Sequence, residues 1–273
     1  MPKVACIQSD VDFGNPEANT SRLIAQLSEL SAAGVELVIF PECYLTGYCV
    51  SSVEAAREIA IPRTHTCLKT IQAETDRLNV LCVVGFAEIS NEQLLNTAVL
   101  FEPGQVPRFY EKTHLPELGF DKFVKKGESL PVFHTRIGIV GMLICFDLRF
   151  PETVRELALQ GADLIALPTN WPEGADVSAD LVARVRALEN KVFIATCNRV
   201  GSENGFKFIG KSKIINPMGV VMDEAQDTSK VLIAEIDFEE SRNKRIVTKR
   251  GEYEITVFDA RRPELYVEIS KSN

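Results

Sequence analysis

An α/β fold is predicted for this 273-residue chain by three features. Short runs rich in β-branched residues alternate with amphipathic helical patterns. Some of these runs, VELVIF (35–40) foremost, are apolar at nearly every position, as strands covered on both faces are. The third is an internal echo. GVELVIFPE (34–42) and GADLIALPT (161–169) share the order helix-stop glycine, acidic residue, apolar strand, proline.

Taken in order, KVACIQ (3–8) reads as the first strand. NTSRLIAQLSELSAAG (19–34) sets Leu23, Ile24, Leu27 and Leu30 on one helical face, with Gly34 as its stop. VELVIF is the second strand, followed by a helix around 64–78. VLCVVGFAEI (80–89) and LLNTAVLF (94–101) are two more strands. Further on, IGIVGMLIC (137–145) reads as a strand passing at once into a helix that opens at Pro151. ADLIALP (162–168), a helix near 178–190, VFIATCNRV (192–200) and KVLIAEID (230–237) complete the alternation. If the echo reflects an internal repeat, Glu42 and the Thr169-Asn170 pair stand at equivalent strand ends, where open α/β sheets build sites.

Composition narrows the function. Hydrophobic residues at 45% and charged residues at 25% are ordinary for a soluble globular chain. A net charge of −8 argues against a nucleic-acid footprint or an anionic-membrane anchor. No apolar run approaches the ~18 residues of a membrane span. MPKVACIQSD at the N-terminus lacks a signal peptide's apolar region. The seven cysteines form no CxxC pair and no tight Cys/His cluster, so neither a disulfide framework nor a zinc site is expected. Reduced thiols in the cytoplasm follow as the expectation. With no Pro/Ser-rich spacer or low-complexity tract, residues 1–273 read as one domain.

Three residues invite chemistry. Glu42 follows a buried strand and a proline, where the alternative is a solvated loop acid. Lys112, in RFYEKTHLPELGF (108–120), lies just past a strand among aromatics, or on the surface. Cys145 ends an apolar run, as packing material or as a nucleophile. Taken together, and in this order, FPECYLTGY, YEKTHLP and ICFDLRFPE resemble the nitrilase superfamily of carbon–nitrogen hydrolases. LPTNWP, VRALENKVFIATCNRVG, FIGKSKIINPMG and ARRPELY extend the likeness from residue 3 to about 266.

The resemblance implies a four-layer αββα sandwich. It implies Glu42 as general base, Lys112 as electrostatic stabiliser and Cys145 as nucleophile, acting on a small amide or N-carbamoyl compound through a thioester. A thiol needs a nearby base or cation to become a nucleophile. A helix beginning just after Cys145 would aim N–H groups at its sulfur. The Phe146 backbone N–H, with Lys112, would receive the oxyanion. One departure concerns the superfamily's second glutamate, a few residues before a Gly-acidic pair. Counting back from Gly127-Glu128 lands on Phe120; Asp121 is the best substitute, Glu117 the second.

Tyr48, Asn170 and Trp171 are pocket candidates, with core packing equally open for Trp171. His114 is expected to orient its loop. Asp147 is read as a first-turn acid, and Arg149 and Glu152 as braces of the helix start or a subunit contact. No metal or organic cofactor is required, because nucleophile, base and oxyanion donors are all protein groups. The expected partner is a small-molecule substrate, with no nucleic acid and no membrane. Two alternatives remain: a nitrilase acting on a nitrile, or a non-catalytic scaffold. The tail 241–273 carries Ile246, Tyr253, Ile255, Val257, Phe258 and Tyr266 beyond the last core strand, a pattern that suits a homodimer interface.

Overall fold

The computed structural model describes residues 1–271. The first half of the chain runs β1 (Lys3–Gln8), α1 (Pro16–Ala32), β2 (Val35–Ile39), α2 (Val53–Ile59), α3 (Thr66–Leu78), β3 (Leu81–Ser90), β4 (Gln93–Phe101) and β5 (Arg108–Glu111). The second runs β6 (Val132–His134), β7 (Ile139–Met142), α4 (Pro151–Leu159), β8 (Leu164–Pro168), α5 (Ala183–Asn190) and β9 (Phe193–Cys197). A short hairpin follows, β10 (Ser202–Glu203) and β11 (Phe206–Lys207), then β12 (Lys213–Ile215), β13 (Val221–Glu224) and β14 (Lys230–Glu235). The chain closes with α6 (Phe238–Arg242), β15 (Arg245–Lys249) and β16 (Tyr253–Thr256).

Two six-stranded sheets result, in the orders β14-β1-β2-β3-β4-β5 and β13-β12-β9-β8-β7-β6. In the first, β1, β2 and β3 are parallel, β4 and β5 continue antiparallel, and antiparallel β14 closes the other edge. In the second, β7, β8 and β9 are parallel, β12 and β13 continue antiparallel, and antiparallel β6 closes the edge. The sheets share one topology, so the echo between 34–42 and 161–169 marks a real internal repeat, with β2 answering to β8.

Alternation along the strands sorts the layers. In β1, Val4 and Cys6 join a core shared with the second sheet, while Ala5 and Ile7 pack with Leu23, Leu27 and Leu30 of α1 and Leu68 and Ile71 of α3. Val154, Leu157 and Ala158 of α4 and Ala183 and Ala187 of α5 cover the second sheet. Helices outside, two sheets inside: this is the αββα sandwich. The α1 start is built locally, for Pro16 occupies the first turn and the Asn15 side chain accepts the Ala18 N–H at 3.1 Å.

Two expectations need correcting. The strand read as ending at Cys145 ends at Met142, and no α-helix starts after the cysteine. A five-residue 3₁₀ turn (Cys145–Arg149) intervenes before α4, which has its own start at Pro151. In the tail, among the described residues, β15 and β16 pair only with each other. Phe258 turns back onto the core, its ring 5.2 Å from both Arg155 Cζ and Lys244 Nζ. Tyr253, Leu265 and Tyr266 stay exposed.

Candidate active site

The ends of β2 and β8 meet. Glu42 lies just beyond β2, and the Asn170 side chain beyond β8 donates from Nδ2 to the Glu42 carbonyl at 3.0 Å. Gly85 on β3 makes room for this turn, since a Cβ there would sit 2.5 Å from the Cys43 nitrogen and 2.8 Å from Glu42 Cα. Past β5, the Lys112 Nζ donates to Glu42 Oε1 at 2.7 Å and to Asp121 Oδ2 at 2.6 Å, with all three side chains fully buried. Tyr48 donates to the same Asp121 oxygen at 2.8 Å, and its ring lies 5.9 Å from Lys112 Nζ. Gly119, with φ at +50°, lets the Asp121 segment press against Tyr48; a Cβ there would be 2.6 Å from the ring.

This is a buried charge cluster of two carboxylates and one ammonium. Burial alone would pull the Lys112 ammonium down, but Asp121 and Glu42 beside it hold it well above its usual range. Burial, reinforced by Asp121, raises Glu42 above the ordinary 4.5 even though Lys112 and Asn96 oppose the shift. Glu42 Oε2 is buried and, among the described residues, has no hydrogen-bond partner.

Cys145 stands at the head of the 3₁₀ turn with φ at 47°, a left-handed backbone that costs a non-glycine residue about 1–3 kcal/mol and clusters at functional sites. Of the seven cysteines it is the one that is not fully buried. Burial and the nearby Glu42 charge push its thiol up, while Lys112 and a hydrogen bond from the Asn170 backbone N–H act in the opposite direction. Burial thus favours the neutral thiol, and where a helix start was expected a 3₁₀ turn and a nearby buried carboxylate, Glu42, are found instead.

Asp147 is no ordinary first-turn acid. It is fully buried and accepts from the Ile144 N–H at 2.9 Å, the Tyr110 hydroxyl at 2.7 Å, Thr113 Oγ1 at 2.9 Å and the His114 N–H at 2.9 Å. It thereby ties the Cys145 turn to the segment carrying Lys112. His114 orients that segment as expected, with Nδ1 2.9 Å from Asp147 Oδ1 and its ring stacked on Phe150 at 3.8 Å. Arg149 reaches Ser178 Oγ at 3.3 Å and so braces its turn. Phe146 is half-buried, edge-on to Phe150.

Among the second-acid candidates the structure separates the two. Asp121 enters the cluster; Glu117 is exposed and outside it, because the 3₁₀ turn Gly119–Phe123 carries Asp121 inward and leaves Glu117 before the turn. Trp171 belongs to the core, held by Asn198 Oδ1 at 2.8 Å from its backbone N–H. Asn96 was missed. It joins Glu42 to Asp121 from mid-β4, and nothing in an apolar strand sequence marks it apart from its polarity amid LLNTAVLF.

Among the described residues one group could gather around a cation: Glu17, His65 and Cys67, whose ligand atoms lie within 4.8 Å of one another at the starts of α1 and α3. His65 Nδ1 accepts the Cys67 N–H, which in the neutral ring leaves the proton on Nε2, the atom facing Glu17. That arrangement caps a helix and does not offer Nε2 to a metal.

The carbon–nitrogen hydrolase family profile matches residues 3–246. The chain belongs to the carbon–nitrogen hydrolase family. It is 39% identical to a nitrilase of Pyrococcus abyssi, over 97% of this chain and 99% of that one. It is 28% identical to the 2-oxoglutaramate amidase of Bacillus subtilis, over 96% and 98%. Among solved structures, the NitN amidase of Nesterenkonia sp. AN1 superposes with a TM-score of 0.85 at 22% identity, covering 98% of this chain and all of that one, a match of fold. As a carbon–nitrogen hydrolase the protein is an enzyme with a Glu–Lys–Cys triad, and the geometry above is where its chemistry is to be sought. No helix among the described residues is long and apolar enough to cross a membrane.

Proposed function

We propose that this hydrolase cleaves a small carboxamide or N-carbamoyl compound, with Cys145 as nucleophile, Glu42 as general base and Lys112 as oxyanion partner. One observation carries the assignment. The accessible cysteine lies within electrostatic reach of a buried glutamate that has one unpartnered oxygen and of a fully buried lysine. As Cys145 sulfur bonds to the carbonyl carbon, its proton passes to Glu42 Oε2. Charge on the carbonyl oxygen is met by Lys112 and the Phe146 backbone N–H, donors each worth about 2.7–4 kcal/mol in comparable sites. Collapse breaks the carbon–nitrogen bond, and the leaving amine takes the proton from Glu42. Water then attacks the thioester, giving its proton to Glu42, and the thiol re-forms as the acid leaves.

A Glu42 raised by burial suits this shuttle, since a base works best with a pKa near the operating pH. Asp121 has both oxygens engaged, which suits holding Lys112 rather than moving protons. Tyr48 and Asn170 border the reacting atoms. The amidase names of relatives such as the 2-oxoglutaramate amidase support an amide substrate. The nitrilase name of the 39% identical relative favours a second reading, hydrolysis of a nitrile to its acid with release of ammonia, through a thioimidate and then a thioester. Scoring ω-amides, N-carbamoyl amino acids, aliphatic amides and nitriles by ammonia release decides between them. Turnover of nitriles alone would reverse the preference.

We also infer a cytoplasmic homodimer. Glu152 and Arg155 at the start of α4 line a cavity of about 280 Å³ with Tyr266 and Ile269 of the tail, so helix and tail form one surface. Light scattering that finds the full chain monomeric at working concentration would remove the dimer.

A further inference from the structure

The mechanism leaves a question open: two buried carboxylates flank Lys112, so why is one of them the base? We infer that Asn96 makes the choice, as a positioning residue that hydrogen-bonds one oxygen of each carboxylate and leaves Glu42 Oε2 as the one oxygen of the pair without a partner among the described residues. The inference rests on the assignment of Glu42 as base.

Asn96 sits in the middle of β4 and is buried to 1% exposure. Its Nδ2 donates to Glu42 Oε1 at 2.7 Å and to Asp121 Oδ1 at 2.7 Å. Its Oδ1 accepts from Cys43 Sγ at 3.6 Å, and its backbone carbonyl accepts from the Lys112 N–H at 2.8 Å. The amide orientation is fixed by this set, because a flipped amide would press its oxygen against two carboxylates. One planar NH₂ group thus spans both acids with its two hydrogens at a fixed angle. Lys112 also bridges the two acids, but its ammonium is a compact point charge without a planar donor geometry and sets no such angle.

Acceptor accounting gives the consequence. Asp121 Oδ1 is taken by Asn96, and Oδ2 by Lys112 and Tyr48. Glu42 Oε1 is taken by Asn96 and Lys112, whereas Oε2 has no partner. Without Asn96, Asp121 Oδ1 is released and Glu42 swings about its remaining bond to Lys112. The proton-accepting oxygen then loses its fixed place, and a second acid competes for the thiol proton. Asn96 also stabilises the charged form of Glu42, so its loss moves the base's titration upward.

The test is Asn96→Ala in the full chain, read by kcat, KM and the pH profile on the best amide substrate. The expected result is a fall in kcat of about 100-fold with KM within about threefold, and an acid limb of kcat/KM displaced to higher pH. Asn96→Ser, which keeps a single donor in a smaller side chain, is expected to fall between alanine and the parent on both measures, and takes the alanine variant's place if that one does not fold. A near-parental kcat, or a loss of kcat with the acid limb unmoved, overturns the inference. Glu42→Gln run alongside separates the two levels. If it keeps activity, the base assignment itself has failed. If it is inactive while the Asn96 variants behave as the parent, only the role of Asn96 has failed.

Discussion

The two halves of the sandwich share a topology and divide the chemistry. In the first, the end of β2 and the segment after β5 supply Glu42, Lys112 and Asp121, a cluster fully removed from solvent. In the second, the end of β7 supplies Cys145 and the end of β8 supplies Asn170, both without charge at rest. Cys145 has no functional counterpart after β1, where the exposed Asp10 instead takes a hydrogen bond at 2.8 Å from the buried Arg199. Each half even carries a left-handed cysteine with φ of 47°, but Cys43 is sealed in the interior and Cys145 is not. The lesson is that a shared topology provides equivalent strand ends, and burial separates the end that holds charge from the end that holds the less buried cysteine.

Substitutions can break this comparison, and the largest effect belongs to the second half. Cys145→Ala is expected to abolish turnover while leaving the melting temperature within a few degrees of the parent, since it removes one half-buried atom and no ion pair. Activity surviving in that variant would return the nucleophile to another residue.

In the first half, activity and stability should fall together. Lys112→Met leaves Glu42 and Asp121 buried with no cation, a defect that typically costs about 3–5 kcal/mol. On the mechanism proposed above, the same change also removes an oxyanion donor, worth roughly 10²- to 10³-fold in kcat. Glu42→Gln should be comparably slow at every pH. In the parent, the sign of the pH effect follows from Glu42 being raised: the base form is lost as pH falls through its folded value, so the acid limb of kcat/KM lies above the ordinary 4.5. An acid limb at or below that value contradicts the burial argument.

Variants of the two second-acid candidates sharpen the contrast within the first half. Asp121→Asn turns one acceptor into a donor facing Asn96 or Lys112, and kcat should drop by several orders of magnitude. Glu117→Gln, on an exposed side chain, should stay within ±0.5 kcal/mol in stability and near-parental in rate. The reverse order would move the second acid to Glu117.

Much of this was legible in the sequence, for reasons that differ by element. β1 was placed to the residue because KVACIQ is apolar and bounded by polar ends. Glu42, Lys112 and Cys145 showed through motif order. Asp121 showed only as a substitute, since a residue's inward turn on a short 3₁₀ segment has no periodicity to read. Asn96 was hidden because its partners lie 54 and 25 positions away in the chain. The left-handed turn at Cys145 was hidden because a backbone held by Asp147 from four directions leaves no local signal. The tail was read only as an apolar stretch beyond the core, and neither its hairpin β15–β16 nor the folding of Phe258 back onto Arg155 could be seen.

The central claim, one reacting thiol in the second half served by the charges of the first, is tested most directly by labelling. Substoichiometric iodoacetamide, itself a small carboxamide, is added to the full-length enzyme and the seven cysteines are mapped by peptide mass spectrometry. The expected result is one adduct, on Cys145, rising in step with the loss of activity, and a much slower adduct in Glu42→Gln. A first adduct on any other cysteine, or full activity with Cys145 alkylated, contradicts the account.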